Sequence, residues 1–256
     1  TRQWYAAICD TVITKKHKVQ FLFFLFLVSL LQFVVGDFLP SPIEVFSETV
    51  SQLQSENVRN NLMRTASRAY LATLMSLVLG VAIGVADYFN ENVSHVTNAI
   101  FYPVQFVSEA VLAILAIAVL GLNPAIVYIV TVLAIVPDVF VATQVGLDNM
   151  DEGLIELGEI YGESKITVFR HLVIPQVLPY IFTGLVRSHA TAWDIVATVE
   201  VFLALSGMGY LVQNQFRLLN LPELFSLALI IIAAGLVSDR VLRFIKTEVD
   251  RRYAEE

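Results

Sequence analysis

Long apolar runs alternate with short polar connectors along most of this chain. A helix needs roughly 20 apolar residues to cross a bilayer. Six runs approach or exceed that length, at 19–36, 69–87, 99–120, 125–146, 177–203 and 222–245. Each is predicted to be an α-helix, because a segment in lipid must satisfy its own backbone hydrogen bonds. Short alternating strands of the barrel type are absent from the sequence. The pattern therefore predicts an all-α, polytopic membrane protein with about six transmembrane helices. Between the first two runs, Val45, Phe46, Thr49, Val50 and Leu53 recur at helical spacing after Ser41-Pro42. That predicts an amphipathic helix lying on the membrane or packed on the bundle. Packing is enough to explain it; contact with an external partner is the sharper reading.

One polar stretch breaks the rhythm. Residues 151–179 are glycine-punctuated and helix-compatible, yet lie between apolar runs. Asn149 is a suitable N-cap for a helix through Asp151, Glu156, Leu157 and Tyr161. Gly162 is placed to stop it in a left-handed conformation. A second short helix is predicted at Lys165–Leu172, with Pro175 and Pro179 marking the start of the next span. Leu154, Leu157 and Tyr161 form an apolar ridge of the kind that seats in a groove on another protein.

Composition supports the membrane reading. The chain has 256 residues, 57% of them hydrophobic and 15% charged, with a mean hydropathy of +0.71. Soluble domains average about half apolar and about a quarter charged. The net charge of −7 is dispersed along the chain, which predicts no nucleic-acid partner. The lone Cys9 cannot form an internal disulfide, and no second thiol or histidine pair makes a metal site around it. The first apolar run follows Lys15, Lys16 and Lys18, but it outruns a signal-peptide core and no small-residue cleavage site follows. It is expected to be a retained span. With the N-terminus inside, eleven Lys and Arg residues fall in cytoplasmic segments and four, Arg59, Arg64, Arg68 and Arg217, fall outside. That bias places both termini in the cytoplasm.

Charges also occur within or beside the spans: Glu109, Asp138, Arg187, Asp194 and Glu200. A charge at mid-bilayer costs about 2.5–3.5 kcal/mol on insertion scales, so such groups face a cavity or pair with one another. Arg187 and Asp194 are seven residues apart, two turns along one helix face. Glu109, Arg187, Asp194 and Glu200 are candidates for a translocation path, with internal ion pairing as the alternative. His189 is read as a hydrogen-bonded packing residue, and Gly80 and Gly84 as a close-packing face.

The polar stretch resembles the cytoplasmic loop of the membrane-spanning permeases of binding-protein-dependent ABC importers. Glu156-Leu157-Gly158 stands for that family's Glu-Ala-Ala, Gly162 for the glycine four residues on, and Leu172-Val173-Ile174-Pro175 for its hydrophobic-x-hydrophobic-Pro ending. Leu-Gly in place of Ala-Ala is a departure that keeps one small residue. Leu178-Pro179, Gly184-Leu185, Ala192-Trp193, Glu200, Gly207-Met208-Gly209-Tyr210-Leu211 and Asp239-Arg240 extend the similarity to the nitrate/sulfonate/taurine branch. The resemblance spans about residues 60–250.

The resemblance implies a MetI-like permease fold in the cell inner membrane. Residues 1–60 would hold a cytoplasmic segment, the first span and the outer amphipathic segment. Residues 61–250 would form the permease core with its coupling loop at 147–176, and 251–256 a cytoplasmic tail. It also implies a coupling helix, with Glu156, Leu157, Gly158, Tyr161, Gly162, Ile174 and Pro175 engaging a cytoplasmic ATPase subunit. A second permease copy, expected to form a homodimer, and an extracytoplasmic solute-binding protein would complete the assembly in the lipid bilayer. The chain has no Gly-x-x-x-x-Gly-Lys-Ser/Thr phosphate loop. It is therefore expected not to be an enzyme and to carry no cofactor, with ATP and Mg on the partner. A self-sufficient channel or ion-coupled carrier using Glu109, Asp194 and Glu200 is the competing reading.

Overall fold

The computed structural model describes residues 40–254, apart from residues 105, 122, 152, 154, 155, 157, 159, 163, 204 and 205. The expected first span at 19–36 and Cys9 lie outside the described residues. The elements in chain order are α1 (Pro42–Gln54), α2 (Glu56–Phe89), α3 (Glu91–Val104), α4 (Glu109–Leu120), α5 (Ala125–Asp148), α6 (Lys165–Val168), a π-helical stretch (Phe169–Val173), α7 (Ile174–Leu203), α8 (Met208–Arg217) and α9 (Leu221–Ala254). The described elements are all helical.

Among the described residues, four helices are long and apolar enough to cross a membrane: Glu56–Phe89, Ala125–Asp148, Ile166–Phe202 and Leu221–Arg251. The run at 99–120, expected as one span, folds as two helices. Pro103 sits inside α3, where it removes a backbone donor and crowds the preceding turn. α3 ends one residue later, turns closed by Phe106 and Val107 follow, and Ser108 is extended before α4. At 12 residues, α4 is about 18 Å long, well short of a bilayer core.

α5 packs against both α2 and α7 and forms the centre of the bundle. Close approach to α2 depends on Gly80 and Gly84. A Cβ on Gly80 would lie 2.7 Å from Val139 Cβ, and one on Gly84 would lie 2.9 Å from Thr143 Cβ. The core around this contact includes Ala69, Ala72, Val130, Ile135, Phe140 and Val196. Phe101 meets Phe140 edge-on at 5.1 Å between centroids and brings α3 into the same core. Asp87, buried near the end of α2, accepts hydrogen bonds from Thr97 of α3 and Gln144 of α5. It joins three helices at that end of the bundle.

α1 forms where expected. Ser41 Oγ accepts from Glu44 N at 3.2 Å, and Pro42 occupies the first turn. It packs on the bundle, one of the two expected placements, and does so through its more polar side. The side turned toward α9 and α2 carries Val45, Glu48, Thr49 and Gln52, while Ile43, Phe46, Val50 and Leu53 are exposed. Across this contact Gln52 is hydrogen-bonded to Glu223 of α9. The second short helix differs from the expectation. Residues 165–203 are helical without a break, and the chain passes through Pro175 and Pro179. The π-helical stretch makes this possible. Ile174 N reaches Phe169 O, and the wider turn shifts the ladder just where Pro175 has no donor to offer.

The α2–α5 contact gives a stability prediction. Gly80→Leu forces side chain into backbone-level packing, with an overpacking cost of about 1–3 kcal/mol or more. The expected result is a clear drop in the thermal unfolding midpoint in detergent. Val78→Leu, on an exposed face, leaves the midpoint unchanged.

Candidate functional site

The polar stretch is built against the start of α7. α5 ends at Asn149, whose side chain donates to Val145 O at 2.8 Å. Asn149 thus closes the preceding helix rather than capping the next one. Asp151 takes the capping part: its Oδ1 accepts from Gly153 N at 2.9 Å. Gln176 Oε1 accepts from Asp151 N at 2.8 Å, while Gln176 Nε2 donates to Leu172 O at 2.9 Å. One side chain therefore clamps the beginning of the stretch to the base of α7.

Gly158 lies against the following helix. A Cβ there would come within 3.1 Å of Leu172 Cδ1 and 3.2 Å of Val168 Cγ2. Gly162 closes the turn with φ +76, a left-handed conformation that costs other residues about 1–2 kcal/mol. Ser164 then caps α6, its Oγ accepting from Thr167 N at 3.2 Å. Glu156 is exposed. Ile160, Tyr161 and Ile166 are 79%, 79% and 80% exposed, and Phe169 and Ile174 are also open. Pro175 is half-buried; Leu157 lies outside the described residues. The outcome is an apolar ridge on a short hairpin whose inner side is held by Gly158 and Gln176.

Glu200 is buried, with its side chain paired to Arg68 Nη1 at 2.6 Å. Its other oxygen accepts from Thr65 Oγ1 at 2.7 Å and Gly209 N at 3.2 Å. Arg68 also donates to Ser206 O and Ser206 Oγ, both at 2.8 Å. Asn61 Oδ1 accepts from Gly207 N and Thr65 Oγ1 accepts from Met208 N, each at 2.8 Å. The polar set Asn61, Thr65 and Arg68 thus receives the chain reversal between α7 and α8. Gly207 is obligatory there: its φ is +110, and a Cβ would fall inside the Glu200 carboxylate. Arg68, counted from sequence as an outer-loop cation, is an internal partner of Glu200. Its spacing carried the signal, since Asn61, Thr65 and Arg68 share a face with buried Ala69, Ala72 and Thr73.

His189 is hydrogen-bonded on both ring nitrogens, to Thr73 Oγ1 at 3.1 Å and Ser238 Oγ at 2.7 Å. Ser238 also meets Tyr70 OH at 2.6 Å. This ties α2, α7 and α9 at one level and matches the packing role expected of His189. Thr73 lies eight residues from Thr65 and fourteen from Asp87, or about 12 Å and 21 Å along the helix. The three residues that meet at the His189 level lie in helices long and apolar enough to cross a membrane.

Arg187 and Asp194 flank that level and do not pair with each other. Arg187 Nε is 3.3 Å from Asp138 Oδ1, yet 76% of its side chain is exposed. Asp194 is exposed on the same stripe, with Thr183, Arg187 and Ala190. It borders a cleft of about 410 Å³ between α7 and α9, beside Trp193, Gly235 and Asp239. Glu200 does not join this stripe, because its carboxylate is spent inside the protomer. Glu109 is the first residue of α4. Among the described residues, no group of three or more His, Cys, Asp or Glu residues is arranged to hold a metal.

Residues 76–254 match the family described as the inner membrane component of binding-protein-dependent transport systems. The chain is 28% identical over 221 residues to a probable ABC transporter permease protein of Brucella melitensis, covering 85% of this chain and 87% of that one. It is 22% identical over 226 residues to the nitrate import permease protein of Synechocystis sp., covering 84% and 81%. Its fold matches a chain in the crystal structure of an amino acid ABC transporter with a TM-score of 0.60 at 19% identity, covering 76% of this chain and 93% of that one.

The buried pair supplies its own test. Removing one partner of a buried ion pair costs about 3–5 kcal/mol, because the other charge is left uncompensated. Glu200→Ala is expected to lower the unfolding midpoint sharply. Combining it with Arg68→Met should recover part of the loss. Thermal melts of the single and double variants in detergent measure that coupling.

Proposed function

The chain belongs to the inner membrane components of binding-protein-dependent transport systems, and from that premise we propose how it works within an ATP-driven importer. It is a multi-pass membrane permease. Two copies face each other across the Arg187–Asp194 stripe, and the solute crosses in the water between them. Segment 151–162 receives the push of a separate cytoplasmic ATPase subunit, which holds ATP and Mg. An extracytoplasmic binding protein delivers the solute. The chain sits in the cell inner membrane with both termini in the cytoplasm, and it performs no catalysis of its own.

The observation that carries this reading is the exposure of Arg187 and Asp194 on Ile166–Phe202, a helix long and apolar enough to cross a membrane. Charged side chains there are costly against lipid and face protein or a water-filled cavity. A single copy leaves them open, so a second copy with water between is the natural cover. The ridge of Ile160, Tyr161 and Ile166 supports the docking half of the proposal. It is apolar, exposed and mounted on a hairpin that Gln176 and Gly158 couple to α7, the same helix that carries Arg187 and Asp194. A force on the ridge is thus delivered to the helix beside the path. Of the acids the ion-coupled alternative would use, Glu109, Asp194 and Glu200, Glu200 is already engaged by Arg68.

Purification in mild detergent followed by mass spectrometry tests the assembly. The expected result is an ATP-binding subunit at near-equal stoichiometry. A single species that moves solute in liposomes without ATP overturns the proposal. Gly162→Pro tests the coupling: proline cannot adopt φ +76. The variant should insert and melt normally while ATP-driven uptake falls about tenfold or more, the effect of roughly 1.4 kcal/mol lost from coupling.

A further inference from the structure

Asp194 stands apart from the acids Glu200, Asp138 and Asp239. Arg68 is paired with Glu200, Arg187 with Asp138 and Arg243 with Asp239. Asp194 has neither an ion pair nor a side-chain hydrogen bond among the described residues, and it is exposed. The groups that share its cleft do not neutralise it. Asp239 and Arg243 cancel one another at 2.6 Å. His189 is held by Thr73 and Ser238, and Trp193 donates its ring N–H to Ile231 O at 3.2 Å. Arg187 is seven residues away, about 10 Å along the helix, and engaged by Asp138. The cleft therefore carries the uncompensated negative charge of Asp194.

We infer that the cleft between α7 and α9 is a selectivity point for a cationic organic solute, with Asp194 as its counter-charge. A small inorganic anion would be repelled here, and a free carboxylate on a membrane-crossing helix would be costly without a cation or water opposite it. An amine- or amidinium-bearing solute gains an ion pair at Asp194. The inference rests on the proposed path through the Arg187–Asp194 stripe. It separates this chain from its nitrate-importing relative by charge class.

The test reads the local potential directly, in the full complex in native-like membranes. In a Cys9→Ser background, Ala197→Cys places one thiol on the cleft wall, three residues from Asp194. The probes are a trimethylammonium-bearing and a sulfonate-bearing methanethiosulfonate of equal size. The cationic reagent is expected to react about tenfold faster than the anionic one, relative to their ratio on a free thiol, as a unit charge within about 7 Å dictates in a partly wet cleft. Asp194→Asn should return the ratio to the free-thiol value. A free-thiol ratio with Asp194 in place overturns the inference while leaving the path intact. Ala190→Cys provides a second thiol on the exposed stripe. If neither cysteine reacts with either reagent, the stripe is dry, and the path falls together with the inference.

Discussion

A charge held at bilayer depth must find a partner or water, and the way this chain meets that demand organises the whole bundle. Glu200 and Arg68 meet it internally. Their pair is closed off by Thr65, Ser206 and the Gly209 amide, so the carboxylate also fixes the reversal between α7 and α8. The polar ring of His189 is satisfied by two hydroxyls and ties three helices at one level. Asp87 does the same lower on α2 through Thr97 and Gln144. These polar locks fix the positions of α2, α5, α7 and α9. The glycine contacts of α2 with α5 then supply close packing, where dispersion rather than water exclusion holds helices together in lipid.

Asp194 does not meet the demand within one protomer, and Arg187 meets it through Asp138 while most of its side chain stays exposed. Both lie on one exposed stripe of α7, the helix that the polar hairpin grips. The polar locks make the rest of the bundle stiff, and the exposed stripe marks where it remains incomplete. Transport by alternating access needs this combination. A stiff body converts a push at one end into movement of a whole helix face, and the face that moves should be the one that meets water.

Much of this was legible in the chain itself. Apolar run length announced a helical membrane protein, because lipid leaves few ways to satisfy a backbone. Gly80 and Gly84 read as a packing face and are one. The glycine at 162 was recognisable as a left-handed stop. Local rules failed where one position answered to two neighbours. Asn149 and Asp151 are both competent caps, and only the end of α5 decides which one is free for the hairpin. Pro103 ends its helix, whereas Pro175 and Pro179 do not. The π-helical stretch before α7 absorbs the missing donor at 175, and nothing comparable rescues 103.

The sequence by itself determined the class of the molecule: its helices, its membrane, its lack of a phosphate loop and the resemblance of its polar hairpin to a permease coupling loop. Those properties depend on run length, composition and short-range spacing, which a linear chain displays in full. Only the tertiary structure decided which charges are spent and which remain available. Arg68 and Glu200 are 132 residues apart, so no local pattern could pair them. Asp138 and Arg187 are matched across two helices in the same way. The free carboxylate of Asp194 became visible only once its neighbours had been assigned their partners, because charge compensation is a property of positions in space.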